Sequence, residues 1–512
     1  MRRREFITLA SGWMVTGPLA ARAQQPAMPA VGSVHSASLG SIVTVVEPGN
    51  FPIKASSNGR YLVNSLGQPF LMMAESAQAI QNILPADAQA YFADRGNRGY
   101  NGIQFDLVST PYVFNNNPGY GFSDGLKPFA GALVTTPNEA YFERMDQYVN
   151  YCAQYGMLAI LNPYEAHDGI NAHDGSVEGD LVAAGESACT TYGQYLGRRY
   201  KNFPNVMWHL GNDYTPANQT AFNVIANIAN GIMVEDTNHL MTVELDAPWS
   251  TSLDSTRYGT FSMMTLNGVY TYGGTYGECM VGYNSSSTTF AGKAGTNKTS
   301  TPCPSVMIEA SYEFENVPGG AGNGGTSVNL RRQSYSLMLS GMSGQIAGNG
   351  YITWFETSGG RNIYYTTGVG GATGSWKNNL GSPGTLDLMR WKAFFQSIPW
   401  YNLLPDQTHV VGTAGYGTPS IMKPVNTDSF VPVAATPDGH LAVAYFSQGN
   451  AQSLTVAMTT FAGPVTAQWF DPTNGAYKTI SGSPFSNIGT RLFSPTGSNG
   501  AGDPDRILVL TA

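Results

Sequence analysis

Beyond about residue 56, short apolar runs alternate with longer amphipathic stretches. The runs Phe70–Ala74, Gly102–Val108, Met157–Asn162, Val206–Leu210, Leu240–Leu245, Phe261–Leu266, Ser305–Ala310 and Tyr351–Phe355 have the length and composition of buried strands. Helices are predicted over Asp87–Arg95 behind Pro85, Glu139–Tyr155, Thr190–Tyr200, Ala217–Met233 behind Pro216, Leu330–Met342 and Leu386–Gln396. In Glu139–Tyr155 the residues Phe142, Met145, Val149 and Cys152 recur at helical spacing, and Gly156 terminates the pattern. Eight strands alternating with helices predict an α/β fold, a (β/α)8 TIM barrel, over residues 56–404. From about Pro405 the long helices stop. Runs at His440–Phe446, Ser453–Met458, Thr466–Phe470 and Arg506–Leu510 lie between Gly, Pro, Asn and Asp turns, which predicts a C-terminal β-sandwich over residues 405–512.

The N-terminus has the pattern of an export signal. Arg3-Arg4-Glu5-Phe6-Ile7 precedes an apolar stretch to Ala20, and Ala21-Arg22-Ala23 supplies a small-residue cleavage site. Residues 1–23 resemble a twin-arginine (Tat) leader and residues 24–55 read as a linker, so a periplasmic or secreted protein is expected. The apolar stretch is too short to span a bilayer and contains Gly12, Gly17 and Pro18, and no membrane partner is expected. The net charge of −8 disfavours nucleic acid as a partner. Only 12% of residues are charged, while Gly (60), Tyr (28) and Trp (8) describe polar loops with many aromatic faces, a composition that suits carbohydrate. Four cysteines in an exported chain permit disulfides. Cys279 and Cys303 flank a Gly/Ser/Thr-rich stretch and are the simplest pair, leaving Cys152 with Cys189; the alternative for Cys152 is a buried helical thiol.

In a barrel of this kind the chemistry is carried at the C-terminal ends of the strands. The fourth strand ends Met207-Trp208-His209-Leu210-Gly211-Asn212-Asp213 and the seventh ends Met307-Ile308-Glu309-Ala310-Ser311-Tyr312-Glu313. Each sets a carboxylate at the rim, as glycosidic cleavage requires: one carboxyl protonates the departing oxygen while the other, ionised, attacks or shields the anomeric carbon. An apolar neighbour such as Trp208 would favour the protonated form of Asp213. The structural alternative is that Asp213 caps a helix and Glu309 pairs with a buried arginine.

Several segments resemble the apiosidase-like glycoside hydrolases, a barrel family joined to a C-terminal domain labelled collagen-binding. They are Asn58-Gly59-Arg60 with Gly67-Gln68-Pro69-Phe70, Gly99-Tyr100-Asn101, and Leu196-Gly197-Arg198-Arg199-Tyr200 leading to Pro204-Asn205-Val206-Met207-Trp208. In the C-terminal region Trp469-Phe470-Asp471-Pro472-Thr473-Asn474-Gly475 and Asp503-Pro504-Asp505-Arg506 resemble that family's turns. The resemblance runs from about Ser56 to the end of the chain and implies that Asp213 is the general acid/base and Glu309 the nucleophile of a retaining hydrolase. Three departures stand out: Gly-Gly-Asp is Gly211-Asn212-Asp213 here, the proline after the nucleophile is Ala310, and Asp-Thr-Ala-Trp after the first strand is Glu75-Ser76-Ala77-Gln78. They leave the sugar open, with apiose one candidate among furanosides.

The remaining candidates for sugar contact are Asn212, Tyr312, Glu313, Trp354, Gln104, Trp208, Glu165, His167 and Trp249. Trp354 is a candidate aromatic floor or barrel core. Gln104 and Asp106, two apart, share one face of the second strand; Glu244 and Asp246 lie at the end of the fifth. The repeated Ala-His-Asp-Gly at Ala166–Gly169 and Ala172–Gly175 lacks the helical His pairing of a zinc motif, so no metal or other cofactor is expected. Two rivals to a two-carboxylate glycosidase remain: a barrel that binds carbohydrate without turnover, and a metal-dependent hydrolase using the His-Asp pairs.

Overall fold

The computed structural model describes residues 50–109, 121–166, 177–245, 251–252, 256–259, 261–284, 289–290, 293–294, 303–314, 325–355, 374–420 and 427–512. Eight parallel strands form the central sheet: β1 Met72–Ser76, β2 Gly102–Asp106, β3 Leu158–Asn162, β4 Val206–Tyr214, β5 Met241–Leu245, β6 Asn267–Thr271, β7 Ser305–Ala310 and β8 Gly344–Ala347. They are ordered β5-β4-β3-β2-β1-β8-β7-β6, so among the described residues the β5–β6 seam is the one without a ladder. Ser252 stitches that seam. Its Oγ accepts from the amides of Val243 (3.3 Å) and Gly268 (2.9 Å), and its own amide donates to the Gly268 carbonyl at 2.9 Å. Around the sheet lie α1 Pro85–Asn97, α2 Glu139–Gln154, α3 Val177–Ala184, α4 Glu186–Tyr200, α5 Gln219–Glu235, α6 Thr275–Tyr283, α7 Ser327–Leu339 and α8 Pro383–Gln396. None of these helices is long and apolar enough to cross a membrane.

Strand periodicity separates two cores. Inward residues such as Met72, Ala74, Leu158, Ile160, Met207, Val306 and Ile308 fill the barrel. Outward residues such as Met73, Phe105, Leu161, Trp208, Leu210 and Val243 meet the helices. Both faces being buried, the strands read as continuous apolar runs rather than alternating ones.

Two strands differ from the sequence reading. Phe261–Leu266 is irregular; its apolar residues are buried as packing, with Phe261 against Phe222 at 4.7 Å between ring centroids, and the sixth strand is the following Asn267–Thr271. At Gly268 a Cβ would lie 2.4 Å from Ile308 Cδ1, so crowding at the seam demands a residue with no strand propensity. Tyr351–Phe355 is a turn, and the eighth strand is the four-residue Gly344–Ala347, whose one large apolar side chain is too weak a pattern to read. The expected disulfides are also absent: Cys152, Cys189, Cys279 and Cys303 are free thiols. Cys152, Cys189 and Cys279 sit in the apolar core as small hydrophobic side chains, and burial pushes the Cys189 thiol up to about 12.

The C-terminal domain is a sandwich. Its strands are β9 Leu404–Pro405, β10 Gly412–Ala414, β11 Val433–Ala435, β12 Leu441–Phe446, β13 Leu454–Ala457, β14 Thr466–Phe470, β15 Tyr477–Thr479, β16 Thr490–Phe493 and β17 Arg506–Thr511. A six-stranded sheet, β9-β11-β12-β17-β14-β15, faces the three-stranded β10-β13-β16. Ala442, Ala444 and Phe446 of β12 join the core between the sheets, while Leu441, Val443 and Tyr445 join the barrel's core. Tyr445 stacks on Tyr335 of α7 (5.3 Å between centroids), and Phe470 packs on Phe394 of α8 (4.6 Å).

A buried charge cluster pins this contact. Arg331 of α7, 2% exposed, meets Asp387 of α8 at 2.6 Å, Asp503 at 2.6 Å and Asp505 at 2.9 Å. Removing Arg331 leaves the fully buried Asp505 carboxylate without a cation. Arg331→Ala is expected to lower stability by about 3–5 kcal/mol. Urea unfolding of the whole chain checks this, and a loss below about 1 kcal/mol would show that the cluster contributes little.

Candidate active site

The inward positions change character toward the C-terminal ends of the strands. Above the apolar plug sit Ser76 of β1, Gln104 and Asp106 of β2, Asn162 of β3, His209, Asn212 and Asp213 of β4, Glu244 of β5, and Glu309 of β7. All except Asp213, which is half-buried, are buried. One carboxylate oxygen from each of Asp213, Glu244 and Glu309 lies within 4.8 Å of the other two, a spacing that would also suit a divalent cation.

Asp213 reaches this position through an irregularity in β4. Leu210 pairs with Val243 and Tyr214 with Leu245, so Gly211, Asn212 and Asp213 stand opposite the single residue Glu244. The three have φ of 105°, 78° and 50°, all left-handed. Such a bulge re-aims side chains out of the ladder. On the β3 side the Gly211 carbonyl accepts from Ala166 N–H (2.9 Å) and Asn162 Nδ2 (3.1 Å). On the β5 side the Asp213 amide donates to Glu244 Oε1 at 2.9 Å, while Glu244 Oε2 lies 3.1 Å from His209 Nε2.

Glu309 is fixed by two phenols: Tyr272 Oη donates to Oε1 at 2.9 Å and Tyr312 Oη donates to Oε2. The Tyr312 ring lies against Gly348, where a Cβ would come 1.9 Å from it, so only glycine there admits the ring. A chain of polar groups crosses the floor between the two carboxylates. Ser76 Oγ donates to Gln104 Oε1 (2.9 Å), Gln104 Nε2 to Asn212 Oδ1 (3.1 Å), and Asn212 Nδ2 to Asp106 Oδ1 (2.9 Å), which also accepts from Asn162 Nδ2 (3.0 Å). The donors and acceptors fix both amide orientations. Asp106 Oδ2 is buried without a partner among the described residues, and burial, reinforced by the Glu165 carboxylate, pushes Asp106 well above the usual carboxylate range.

The structure thus brings Asp213, Glu309, Asn212, Tyr312 and Gln104 to one mouth, with Glu165 buried beside Gly211 at the end of β3. Trp208 is not there. Strand parity turns it outward, where it is fully buried, packs on Tyr200 and donates from Nε1 to Asp236 at 2.8 Å, so it cannot shield Asp213 or touch sugar. Trp354 is half-buried in the turn after β8, its carbonyl accepting from Asn82 Nδ2 at 3.0 Å. Glu313 is committed to the start of α8: it accepts from the Gly384 amide (2.6 Å), from Ser382 Oγ and from Asn349 Nδ2 (3.3 Å). His167, Trp249, Asp246 and most of the Ala-His-Asp-Gly repeat lie outside the described residues. Glu75, one of the changed residues after β1, points outward to Arg95 (2.9 Å) and Tyr91 of α1, whereas Ser76 and Gln78 approach Tyr312 Oη at 3.4 Å.

Tyr272 lies beyond the strand expected at Phe261–Leu266, so that expectation gives it no place at the rim; its signal is the inward step of two from Tyr270. His209 shares the inward face with Met207, but a lone histidine in an apolar run gives no warning of a carboxylate partner.

Against this geometry, the sequence profile of the family described as "Apiosidase-like, catalytic domain" matches residues 56–402. The chain belongs to that family. Residues 404–511 match "Putative collagen-binding domain of a collagenase". The chain is similar in fold to a glycoside hydrolase family 5 protein from Bacteroides vulgatus, with 20% identity, TM-score 0.67, and 90% of this chain and 93% of that one covered. It is also similar to a second structure titled glycoside hydrolase, with 19% identity, TM-score 0.62, and 90% and 97% coverage. No curated protein sequence matches. Family and architecture make the chain a glycoside hydrolase with a carbohydrate substrate.

Burial raises Glu313 from 4.5 to about 7, against the opposing pull of its Ser382 and Gly384 donors. The folded state therefore holds a proton that the unfolded chain has lost between these values, and stability contributed by the neutral form fades as pH rises from about 4.5 through 7. The contribution is about 3 kcal/mol. Melting curves between pH 4.5 and 8 should show this fall, and Glu313→Gln should flatten it; an unchanged slope in the variant would refute the assignment.

Proposed function

We propose that the protein is an exported, retaining glycosidase in which Asp213 is the acid/base and Glu309 the nucleophile. It acts on plant or bacterial poly- or oligosaccharides, with apiosides and other furanosides the first substrates to try. The observation that carries this reading is that Asp213 and Glu309 share the barrel mouth, with one carboxylate oxygen of each within 4.8 Å of the other, an approach that favours the closer of two carboxyl geometries. Direct attack uses carboxyls ~5–5.5 Å apart, whereas inversion needs ~6.5–9.5 Å to admit a water. Export rests on the twin-arginine leader pattern alone.

The Asp213 carboxyl gives its proton to the glycosidic oxygen as the bond to the anomeric carbon breaks, and a Glu309 oxygen forms the new bond to that carbon. In the second half Asp213, now ionised, takes a proton from water; the water oxygen attacks the glycosyl ester and releases Glu309. Tyr272 and Tyr312 hold Glu309 in line. Asn212 offers its remaining Nδ2–H to the hydroxyl beside the anomeric carbon, a contact that strengthens in the transition state.

Reducing-end release from a polysaccharide panel tests the activity. Glu309→Ala should lower turnover at least about 10³-fold in a folded protein, and Asp213→Ala should cost substrates with poor leaving groups most. Insensitivity to chelator is expected, since neither step uses a metal. Proton NMR of the first-formed anomer reads the stereochemistry: an inverted product refutes Glu309 as nucleophile.

A further inference from the structure

The third carboxylate of the mouth has no place in the two steps above. We infer that Glu244 is a positioning residue that holds the Asp213 acid/base in its working conformation by bracing the β4 arch from beneath. The inference rests on the proposed role of Asp213.

Three observations converge. Gly211, Asn212 and Asp213 oppose only Glu244 in the ladder, so this is the one β5 residue that faces the arch. The arch is locally disfavoured: Asn212 and Asp213 are non-glycine residues at φ 78° and 50°, a left-handed run that persists only where neighbouring groups hold it. Glu244 Oε1 accepts the Asp213 N–H at 2.9 Å, supplying the tether on the β5 side.

Glu244 is itself rigid. It is 1% exposed, its second oxygen lies 3.1 Å from His209 Nε2, and its own carbonyl presses on the arch, where a Cβ on Gly211 would meet it at 2.5 Å. The position of Asp213 relative to Glu309 is thus set by a strand end two ladder positions beyond Thr242 rather than by the mobility of a rim loop. Glu244 acts through a backbone amide and needs no contact with the sugar. A neutral isostere that still accepts from that amide should therefore keep most of the effect.

The test compares Glu244→Gln, Glu244→Ala and Glu244→Asp in the full chain; the aspartate keeps the charge but falls short of the amide. Hydrogen exchange of the segment around Asp213, which needs no substrate, should quicken at least about tenfold in Ala and Asp and stay near wild type in Gln. Unchanged exchange in both short variants overturns the inference.

On a 2,4-dinitrophenyl and a phenyl glycoside of a sugar that the wild type cleaves, Glu244→Ala should lose about 10²-fold on phenyl and under about tenfold on dinitrophenyl. Adding Asp213→Ala to it should cost little more than Asp213→Ala alone. Equal losses on both leaving groups, or full additivity in the double variant, also overturn it. If the wild type cleaves no glycoside, the proposed function fails while the exchange result still decides whether Glu244 braces the arch.

Discussion

Between Leu210 and Tyr214 the fourth strand carries three residues against one on its neighbour, and the geometry of the mouth follows from that mismatch. A regular strand would have alternated residues 211–213 between barrel interior and helix layer. Left-handed backbone at three successive positions instead presents both Asn212 and Asp213 to the mouth. Strain of this kind persists only where surrounding structure over-determines it. The determinants here are Asn162 and Ala166 on one flank and Glu244 on the other.

The same economy of space governs the polar floor. Inward positions near the start of the strands carry aliphatic side chains and close the barrel below. Two residues further along β1, β3 and β4 they become Ser76, Asn162 and His209, buried polar groups that must find partners because water is largely excluded. The run from Ser76 through Gln104 and Asn212 to Asp106 does this with each amide in one orientation. At its end, burial and the neighbouring Glu165 carboxylate hold the Asp106 carboxyl well above the usual carboxylate range.

The C-terminal domain belongs to the barrel's hydrophobic architecture more than its sequence position suggests. Its larger sheet is apolar on both faces because one meets the smaller sheet and the other covers α7 and α8. Arg331 fixes the lateral register of that contact, since a guanidinium satisfying three carboxylates tolerates little sliding. α8 also receives Glu313 at its first turn, which connects the residues just past β7 to the helix that carries the interface.

Periodicity and chain order determined the barrel, most of its strands, the sandwich and the rim placement of Asp213 and Glu309, because those features depend on which residues must leave water and on where strands end. Direction was harder to read. Trp208 looked like a rim aromatic and is turned outward by parity, and Tyr272 was hidden by a sixth strand whose Asn267 and Gly268 suit a crowded seam rather than a β propensity scale. Glu313 looked like a sugar ligand and serves a helix start 70 residues away, within the reach of Gly384 and Ser382. Pairings such as Glu244 with the Asp213 amide, or Tyr312 over Gly348, join residues far apart in the chain through hydrogen bonds and close contacts. No local pattern encodes such pairs; they exist only once strands have closed into a barrel and the bulge in β4 has fixed which side chains share its mouth.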